Sequence, residues 1–446
     1  MKKGLNIPIA GDAELRVSKT IGGGVFAIQP TDFKGLLPRL LVKEGDSVLC
    51  GSPVIADKKN PDIIFCSPVS GTVKEIVRGE KRKLLAVLIE AGAEQKSVDF
   101  GVKDPAGMSA DEVRQALLQS GLWPFLVQRP YGIVANPDVK PLAIYVSTFN
   151  TAPLAADCEF CFGADVKAAQ AGVDALDKLT DGGVHVSLNA EVSGSAFAAL
   201  KNVKFHSFKG QHPAGNVGVQ IANIRPIFKE ETVWTVSLAG LVAIGKLFTT
   251  GSYDLCRKVA VTGPACANPS YVETFPGMPV SAVADFSAES TETVRFVSGD
   301  ALSGTNVGVN GYLGFFDNQI TILHEGVEEE LLGWINPLRF NQYSQDHSYF
   351  SWLFSGKKYN MSTNLHGGKR TFLMNDGYYG KYLPMDIFPV YLAKACLAGD
   401  IDKMEKYGIY EVLPEDLALC EFVDPSKNNI QEMIAKGIDL MLKEMA

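Results

Sequence analysis

The sequence predicts a multidomain protein of β and α/β domains that closes on a mainly helical one. Three patterns carry this reading. Near the N-terminus, turn residues punctuate short apolar runs about every 8–12 residues. In the middle, strand-like apolar runs alternate with helix-length periodic segments. Near the C-terminus an apolar stripe repeats at helical spacing.

Residues 34–92 read as small β structure. Leu40 to Val48 is a strand entering a Gly45-Asp46 turn, Gly51 to Ala56 a second, Ser67 to Ile76 a third and Leu84 to Ile89 a fourth. Such punctuation suits a compact barrel or sandwich. Upstream, Gly22-Gly23-Gly24 precedes the strand-like Val25 to Ile28. A nucleotide fingerprint needs spaced glycines between a strand and a helix, so these three read as a turn.

Residues 100–255 read as α/β with a parallel sheet. Ser109 to Gln119 is a helix with Ser109 as N-cap and apolar Val113, Ala116 and Leu117. Leu142 to Val146 and Val184 to Leu188 are buried strands, and Ala164 to Leu179 is an Ala-rich helix between them. Val233 to Phe248 is the longest apolar stretch, but Lys246, Thr235, Ser237 and two glycines interrupt it. It falls short of the roughly 20 apolar residues that span a bilayer. It reads as a buried helix or a strand plus a helix.

Residues 256–325 return to β signals: Lys258 to Val261, Thr293 to Val297 and Gln319 to Leu323. In the last part, Ile430, Met433, Ile434, Ile438, Met441, Leu442 and Met445 share one face of a helix over Asn429 to Met445. The expected units are residues 1–98, 99–255, 256–330 and 331–446.

Net charge is −8 with no long basic run, which argues against nucleic-acid binding. Met1 to Ala13 lacks an apolar core of signal-peptide length, so the chain is expected inside the cell, with any membrane association through a partner. The eight cysteines are sparse and scattered, as reduced thiols are.

Several segments are candidates for chemistry. Gly45-Asp46 followed by Ser67-Pro68-Val69-Ser70-Gly71 resembles the barrel-sandwich fold of biotinyl and lipoyl carrier domains. Asp57-Lys58-Lys59 echoes the carrier lysine tip, but Lys58 lies closer to the Gly-Asp turn than that family requires, and Asn60-Pro61-Asp62 turns where a strand should begin. An unmodified barrel is therefore expected. Cys158-Glu159-Phe160-Cys161 is half a metal site without nearby ligands, and Asp157 and Glu159 disfavour thiolates. Cys420 stands alone with Asp424 where a further thiol would be needed, so no cluster is expected. Lys209 to Gly218 is dense in turn formers and follows Phe205, His206 and Phe208; His212 within it reads equally as cleft-lining or structural. No Ser-His-Asp arrangement, Walker loop or His-Glu-x-x-His is present, so the marks of a self-sufficient catalyst are missing.

Taken in order, Lys3 to Gly11, Asp57 to Pro61, Ser120 to Trp123, Asn150 to Ala156, His212 to Gly215, Gly245 to Phe248, Tyr312 to Gly314 and Glu415 to Cys420 resemble the first, A-type subunit of the Na⁺-translocating NADH:quinone reductase (NQR complex) over nearly the whole chain. The resemblance implies four units: a barrel-sandwich hybrid, a Rossmann-like α/β domain, a small β-grasp-like (SLBB) domain and a C-terminal helical domain. That family is similar to the flavin- and NADH-binding subunit of complex I and to the C-type subunit of the Rnf complex. Those relatives cradle phosphates with a glycine-rich loop, which corresponds here to Gly121 to Pro130. One glycine remains, and Trp123, Phe125 and Leu126 fill the approach. The resemblance thus implies a scaffold subunit with no tightly bound cofactor and a cleft for a quinone headgroup. Position within the family suggests Phe33, Lys34, Arg129, Tyr131 and His212 as quinone contacts, the last four with polar groups for a carbonyl. The ordinary alternatives are core packing for Phe33 and Tyr131, and solvated charge for Lys34 and Arg129. Expected partners are the other subunits of the complex, one embedded in the membrane above all, at the cytoplasmic face of the bacterial inner membrane. A flavin/NADH-binding dehydrogenase subunit, a carrier presenting Lys58 and a purely structural adaptor are the competing readings.

Overall fold

The computed structural model describes residues 1–326, 336–345, 347, 349–354, 356–364 and 376–444. Its N-terminal strands are β1 (Val17–Ile21), β2 (Val25–Ile28), β3 (Pro38–Leu40), β4 (Ser47–Val48), β5 (Pro53–Asp57), β6 (Ile64–Cys66), β7 (Gly71–Arg78) and β8 (Leu84–Ala91). Two antiparallel sheets, β2-β8-β7-β4 and β3-β5-β6, close over Phe26, Val54, Ile55, Val69, Val73, Val87 and Ile89. The strand expected from Leu40 to Val48 is broken. Asp46 accepts the Lys43 amide at 2.8 Å through its side chain and returns its own amide to the Lys43 carbonyl, which ties residues 43–46 into a turn. Lys58 lies in the β5–β6 connection, and β6 starts only after the Asn60-Pro61-Asp62 turn.

The second unit holds α1 (Ala110–Ser120), β9 (Val127–Arg129), β10 (Ile133–Val134), β11 (Ile144–Ser147), α2 (Cys158–Phe162), α3 (Val166–Asp177), β12 (Val184–Asn189), β13 (Val203–Phe208), α4 (Val217–Ile224), β14 (Val233–Thr235) and α5 (Leu238–Thr250). Ser109 caps α1 in a reciprocal box with Glu112. The sheet order is β10-β9-β14-β11-β12-β13. Strands β14, β11, β12 and β13 run parallel, and β9 joins β14 antiparallel. Alternation along β11 sends Ile144 and Val146 into the main core, which holds α3 and α5 residues, and Tyr145 toward Ile221 of α4. The long apolar stretch divides into β14 and α5. No described helix is long and apolar enough to cross a membrane.

The third sheet comprises β15 (Arg257–Thr262), β16 (Ser270–Thr274), β17 (Val294–Ser298), β18 (Thr305–Asn306) and β19 (Gln319–His324), in the order β1-β16-β15-β19-β17-β18. Strand β1 thus crosses the boundary expected at residue 98: it pairs in parallel with β16, some 250 residues away. The C-terminal helices are α6 (Asp376–Tyr379), α7 (Pro389–Ala398), α8 (Ile401–Tyr407), α9 (Ala418–Val423) and α10 (Ile430–Glu444). Ile430, Ile434, Ile438 and Met441 of α10 are buried, while Met433 and Leu442 sit at the edge of the stripe. Met445 lies outside the described residues.

Five phenylalanines join three of these units. Phe33 packs on Phe65 (ring centroids 4.4 Å), Phe315 (4.9 Å) and Phe316 (5.6 Å), and Phe125 packs on Phe315 at 4.7 Å. The Asp32 carboxylate accepts the Phe315 amide at 2.8 Å beside them. Replacing Phe33 by Ala removes a buried ring from this junction and is expected to cost about 3–5 kcal/mol, read as a lower denaturation midpoint of the full chain.

Burial lifts the Asp32 carboxyl from 3.8 to about 7, against the Phe315 amide, which lowers it, and with Asp317 raising it further. The folded chain keeps a proton that the unfolded chain releases. The contribution of this group is fully present below about pH 4 and is lost as pH rises through about 7. Asp32→Asn retains an acceptor for the Phe315 amide and should flatten the dependence of thermal midpoint on pH in that window.

Candidate functional site

A cleft of about 400 Å³ opens between the second unit, the third sheet and the turn before α9. Its position follows from the topology. From β11 the chain proceeds outward through β12 and β13, then returns to place β14 on the other side of β11. The crevice at the carboxyl ends of two such strands is the usual ligand seat of an open α/β sheet. Here Ser147 ends β11, Phe149 and Asn150 follow it, and Thr235 to Leu238 end β14 and begin α5; all line the cleft.

Arg129 enters from β9, whose alternation turns Val127 and Arg129 into the cleft and Gln128 away toward the Asn136 amide. The guanidinium is buried. Nη1 donates to Asp416 Oδ2 at 2.9 Å and Nη2 to Glu415 Oε1 at 3.1 Å. Burial works against its charge, but Asp416 and Glu415 outweigh that effect and hold its pKa above the ordinary value. Asp416 Oδ2 also accepts the Leu413 amide at 3.0 Å. Gly218 on α4 lets that helix approach: a Cβ there would lie 2.3 Å from both Arg129 Nη1 and Asp416 Oδ2. The carboxylate therefore lies against the amino end of α4, where helix dipoles favour negative charge.

His212 comes from the glycine-rich loop before α4 and is 4% exposed. Its Nδ1 meets Thr151 Oγ1 at 3.3 Å, and its backbone amide donates to Asn6. Burial pushes the imidazole down to about 4, although Asp300 and Asp416 raise it, so it is neutral at pH 7. Around this cleft, Arg129 Nε, His212 Nε2, Asn318 Oδ1 and Asp416 Oδ1 are buried with no hydrogen-bond partner among the described residues. Phe125, Phe149, Phe162 and Phe316 supply aromatic wall. Four carboxylates line the space: Asp300, Asp317, Glu415 and Asp416.

Of the residues suggested by sequence, Arg129 and His212 meet in this cleft. Phe33, Lys34 and Tyr131 do not line it. Phe33 stands one ring behind the wall, against Phe316. Lys34 bridges Asp439 of α10 at 3.1 Å. Tyr131, at φ +83°, packs on Tyr410 among the C-terminal helices. Phe205, His206 and Phe208 lie on edge strand β13, where His206 Nε2 meets His185 Nδ1 at 3.0 Å, and none of the three lines the cleft. Sequence reasoning passed over Asp416, Asn318 and Phe316. For Asp416 the available signal was its place in a recognised motif beside Glu415.

The stretch that corresponds to a phosphate cradle has become core. Trp123 and Leu126 are fully buried, and Trp123 Nε1 donates to the Ala135 carbonyl at 2.7 Å. A Cβ on Gly121 would lie 2.3 Å from Cys66 Sγ, so this turn is packed against β6. The thiols of Cys158 and Cys161 are pushed up, the first to about 12, by burial above all and then by Asp157 and Glu159 for Cys158. Cys420 is buried in α9, and Asp424 accepts the amides of Ser426 and Asn428. All eight cysteines are free, and among the described residues no group of three or more His, Cys, Asp or Glu side chains is arranged to hold a metal ion.

Replacing Arg129 by Met should cost about 3–5 kcal/mol, because Asp416 is then left buried without its partner. Thermal denaturation of the full chain checks this; an unchanged midpoint would show that water replaces the guanidinium.

Three segments that line the cleft, Asn150–Ala156, His212–Gly215 and Glu415–Ala418, belong to the motifs that carried the family resemblance. Comparison with known proteins agrees. Residues 1–92 match the NqrA N-terminal barrel-sandwich hybrid domain, 108–253 the NqrA second alpha/beta domain and 258–308 the NQRA C-terminal domain of SLBB type. The chain is 37% identical over 432 residues to the NqrA subunit of the Na(+)-translocating NADH-quinone reductase of Yersinia pestis bv. Antiqua (strain Angola), covering 96% of this chain and 95% of that one. It is 36% identical over 449 residues to the same subunit of Pasteurella multocida (strain Pm70), covering 100% and 99%. Among solved structures it is similar to the NAD+-reducing [NiFe]-hydrogenase in the H2-reduced state, with 13% identity, a TM-score of 0.37 and coverage of 76% of this chain and 61% of that one. The chain therefore belongs to the NqrA family, that of the A-type subunit of the Na(+)-translocating NADH-quinone reductase.

Proposed function

We propose that this chain is the quinone-handling, peripheral subunit of its reductase, with the headgroup held in the cleft beside Arg129 and His212. One observation carries the reading: four phenylalanines wall a cleft that Arg129 and His212 also line. A quinone is flat and aromatic, with two carbonyl acceptors. Arg129 and His212 line the cleft and carry N–H groups of the kind a quinone carbonyl accepts from. Phosphate-bearing ligands fit poorly, because four carboxylates line the space and Asp416 already occupies the amino end of α4.

On this reading the redox cofactors sit on other subunits, and the isolated chain holds no flavin and transfers no electrons. It reaches the cytoplasmic face of the membrane through a membrane-embedded partner subunit. The cleft's own residues bind and orient the headgroup. Neutral His212 donates or accepts according to its tautomer.

The purified chain should be colourless and should bind a tail-less benzoquinone, followed by quenching of tryptophan fluorescence. His212→Phe keeps an aromatic ring and removes the donor, and should weaken binding about ten-fold. Stoichiometric flavin in the preparation, or binding indifferent to His212→Phe, would overturn the proposal.

A further inference from the structure

A groove of about 490 Å³ runs between the turn after α4 and the α7–α8 pair, and it shares no lining residue with the cleft. One wall is the turn itself. Arg225 pairs with Glu231 at 2.5 Å, and Glu231 also accepts the Phe228 amide at 3.1 Å, which ties the turn and leaves the Phe228 ring 63% exposed. The other wall is helical. Phe388, just before α7, is 52% exposed, and Tyr391 in the first turn of α7 is 50% exposed. With Tyr407 of α8 they form one aromatic cluster, ring centroids 5.6 to 6.3 Å apart. Lys229 reaches across to Glu405 at 3.0 Å and joins the two walls. Large aromatic side chains left in water on both walls of one groove mark a surface that another molecule covers.

Charge selects that molecule. Asp386, Asp402, Glu405 and Glu411 line the groove against Lys229 and Lys406, and Lys229 is already engaged by Glu405. Among the described residues no ion pair engages Asp386, Asp402 or Glu411. Glu411 is half-buried; burial above all, and then Asp386, pushes its carboxyl up to about 7. A cation set between these two groups would relieve that repulsion, and the neighbouring aromatic faces attract a cation as well. A guanidinium meets both demands, since it forks to carboxylates and stacks on rings. A small free amine would satisfy the carboxylates but leave Phe228, Phe388 and Tyr391 in water, whereas a polypeptide covers both.

We propose that this groove docks an arginine-bearing segment of a partner protein, its guanidinium held by Asp386 and Glu411 against the wall of Phe388 and Tyr407. Another subunit of the reductase is the expected source of the segment. The docking surface is separate from the quinone reading and stands or falls without it.

The test titrates the full chain at low ionic strength with a short peptide of alternating arginine and alanine, and with the same peptide carrying neutral citrulline for arginine. The arginine peptide should bind at least about ten-fold tighter. Asp386→Asn combined with Glu411→Gln should abolish that preference, and Phe388→Ser, at an exposed position, should weaken the arginine peptide several-fold should the double variant not fold. Glu80→Gln with Glu94→Gln, exposed carboxylates of the first unit, should leave it unchanged. In the assembled reductase, a photoreactive residue in place of Phe388 should cross-link to an arginine-bearing segment of another subunit, identified by mass spectrometry. Equal binding of the two peptides, an equal loss in the Glu80/Glu94 control, spermidine bound as tightly as the peptide, or no cross-link to another subunit would each overturn the proposal.

Discussion

The buried contact between Arg129 and Asp416 organises the centre of the molecule. It spans 287 residues and fastens strand β9 of the α/β unit to the turn that opens α9. With side chains 3% and 0% exposed, neither partner has water to fall back on. Both charges are tenable only together, since an isolated buried ion is far costlier than a pair. The pair also dictates its surroundings. Gly218 must lack a side chain for α4 to come so close, and Asp416 then supplies negative charge at that helix's amino end. Yet Arg129 Nε and Asp416 Oδ1 remain without partners among the described residues. Each such atom costs about 1–3 kcal/mol if nothing meets it.

The second constraint is aromatic. Phe33, Phe65, Phe125, Phe315 and Phe316 come from three different sheets or their connecting loops and share one packed volume. Phe125 is the common wall, since it touches this group on one side and lines the cleft on the other. The loop from Gly121 to Leu126 has exchanged main-chain access for this packing, with Trp123 set edge-on against Trp234 at 5.4 Å. Stability of the inter-domain junction and shape of the cleft are therefore the same property, written in the same residues.

What could be read from sequence was local. The Ser109 cap of α1 and the buried stripe of α10 depend on residues a few positions apart, whereas Val233 to Phe248 left one helix and a strand plus a helix both open. The pairing of β1 with β16 was invisible, because a strand's alternation states which face is buried and not which strand lies beside it. The site was half legible for the same reason. A histidine in a glycine-rich loop attracts attention by itself, whereas Arg129 was suggested only by its position within the family. Asp416 looks like any acidic residue at the start of a helical turn until Arg129 is seen against it. Lys34 and Tyr131 show the converse: each has a polar group suited to a carbonyl, but Lys34 is drawn to Asp439 and Tyr131 to Tyr410.

Two independent arguments bear on what the cleft accepts. The first is steric, and concerns a loop whose amides are sealed beneath Trp123 and Leu126. The second is electrostatic and does not depend on that loop at all. Against Arg129, already engaged by two carboxylates, and a neutral His212, the cleft sets Asp300, Asp317, Glu415 and Asp416. A phosphate oxygen brought within about 4 Å of one such carboxylate meets a repulsion of about 4 kcal/mol at the effective dielectric of a protein surface. Burial raises the Asp317 pKa and so favours its neutral form, with Ser298 and Arg257 acting the other way. A neutral, flat acceptor meets none of that repulsion and still finds donors. Restoring glycines to the loop at Gly121 would therefore not by itself restore a nucleotide site: the carboxylate at the foot of α4 would have to go as well, and Arg129 would still be held by Glu415.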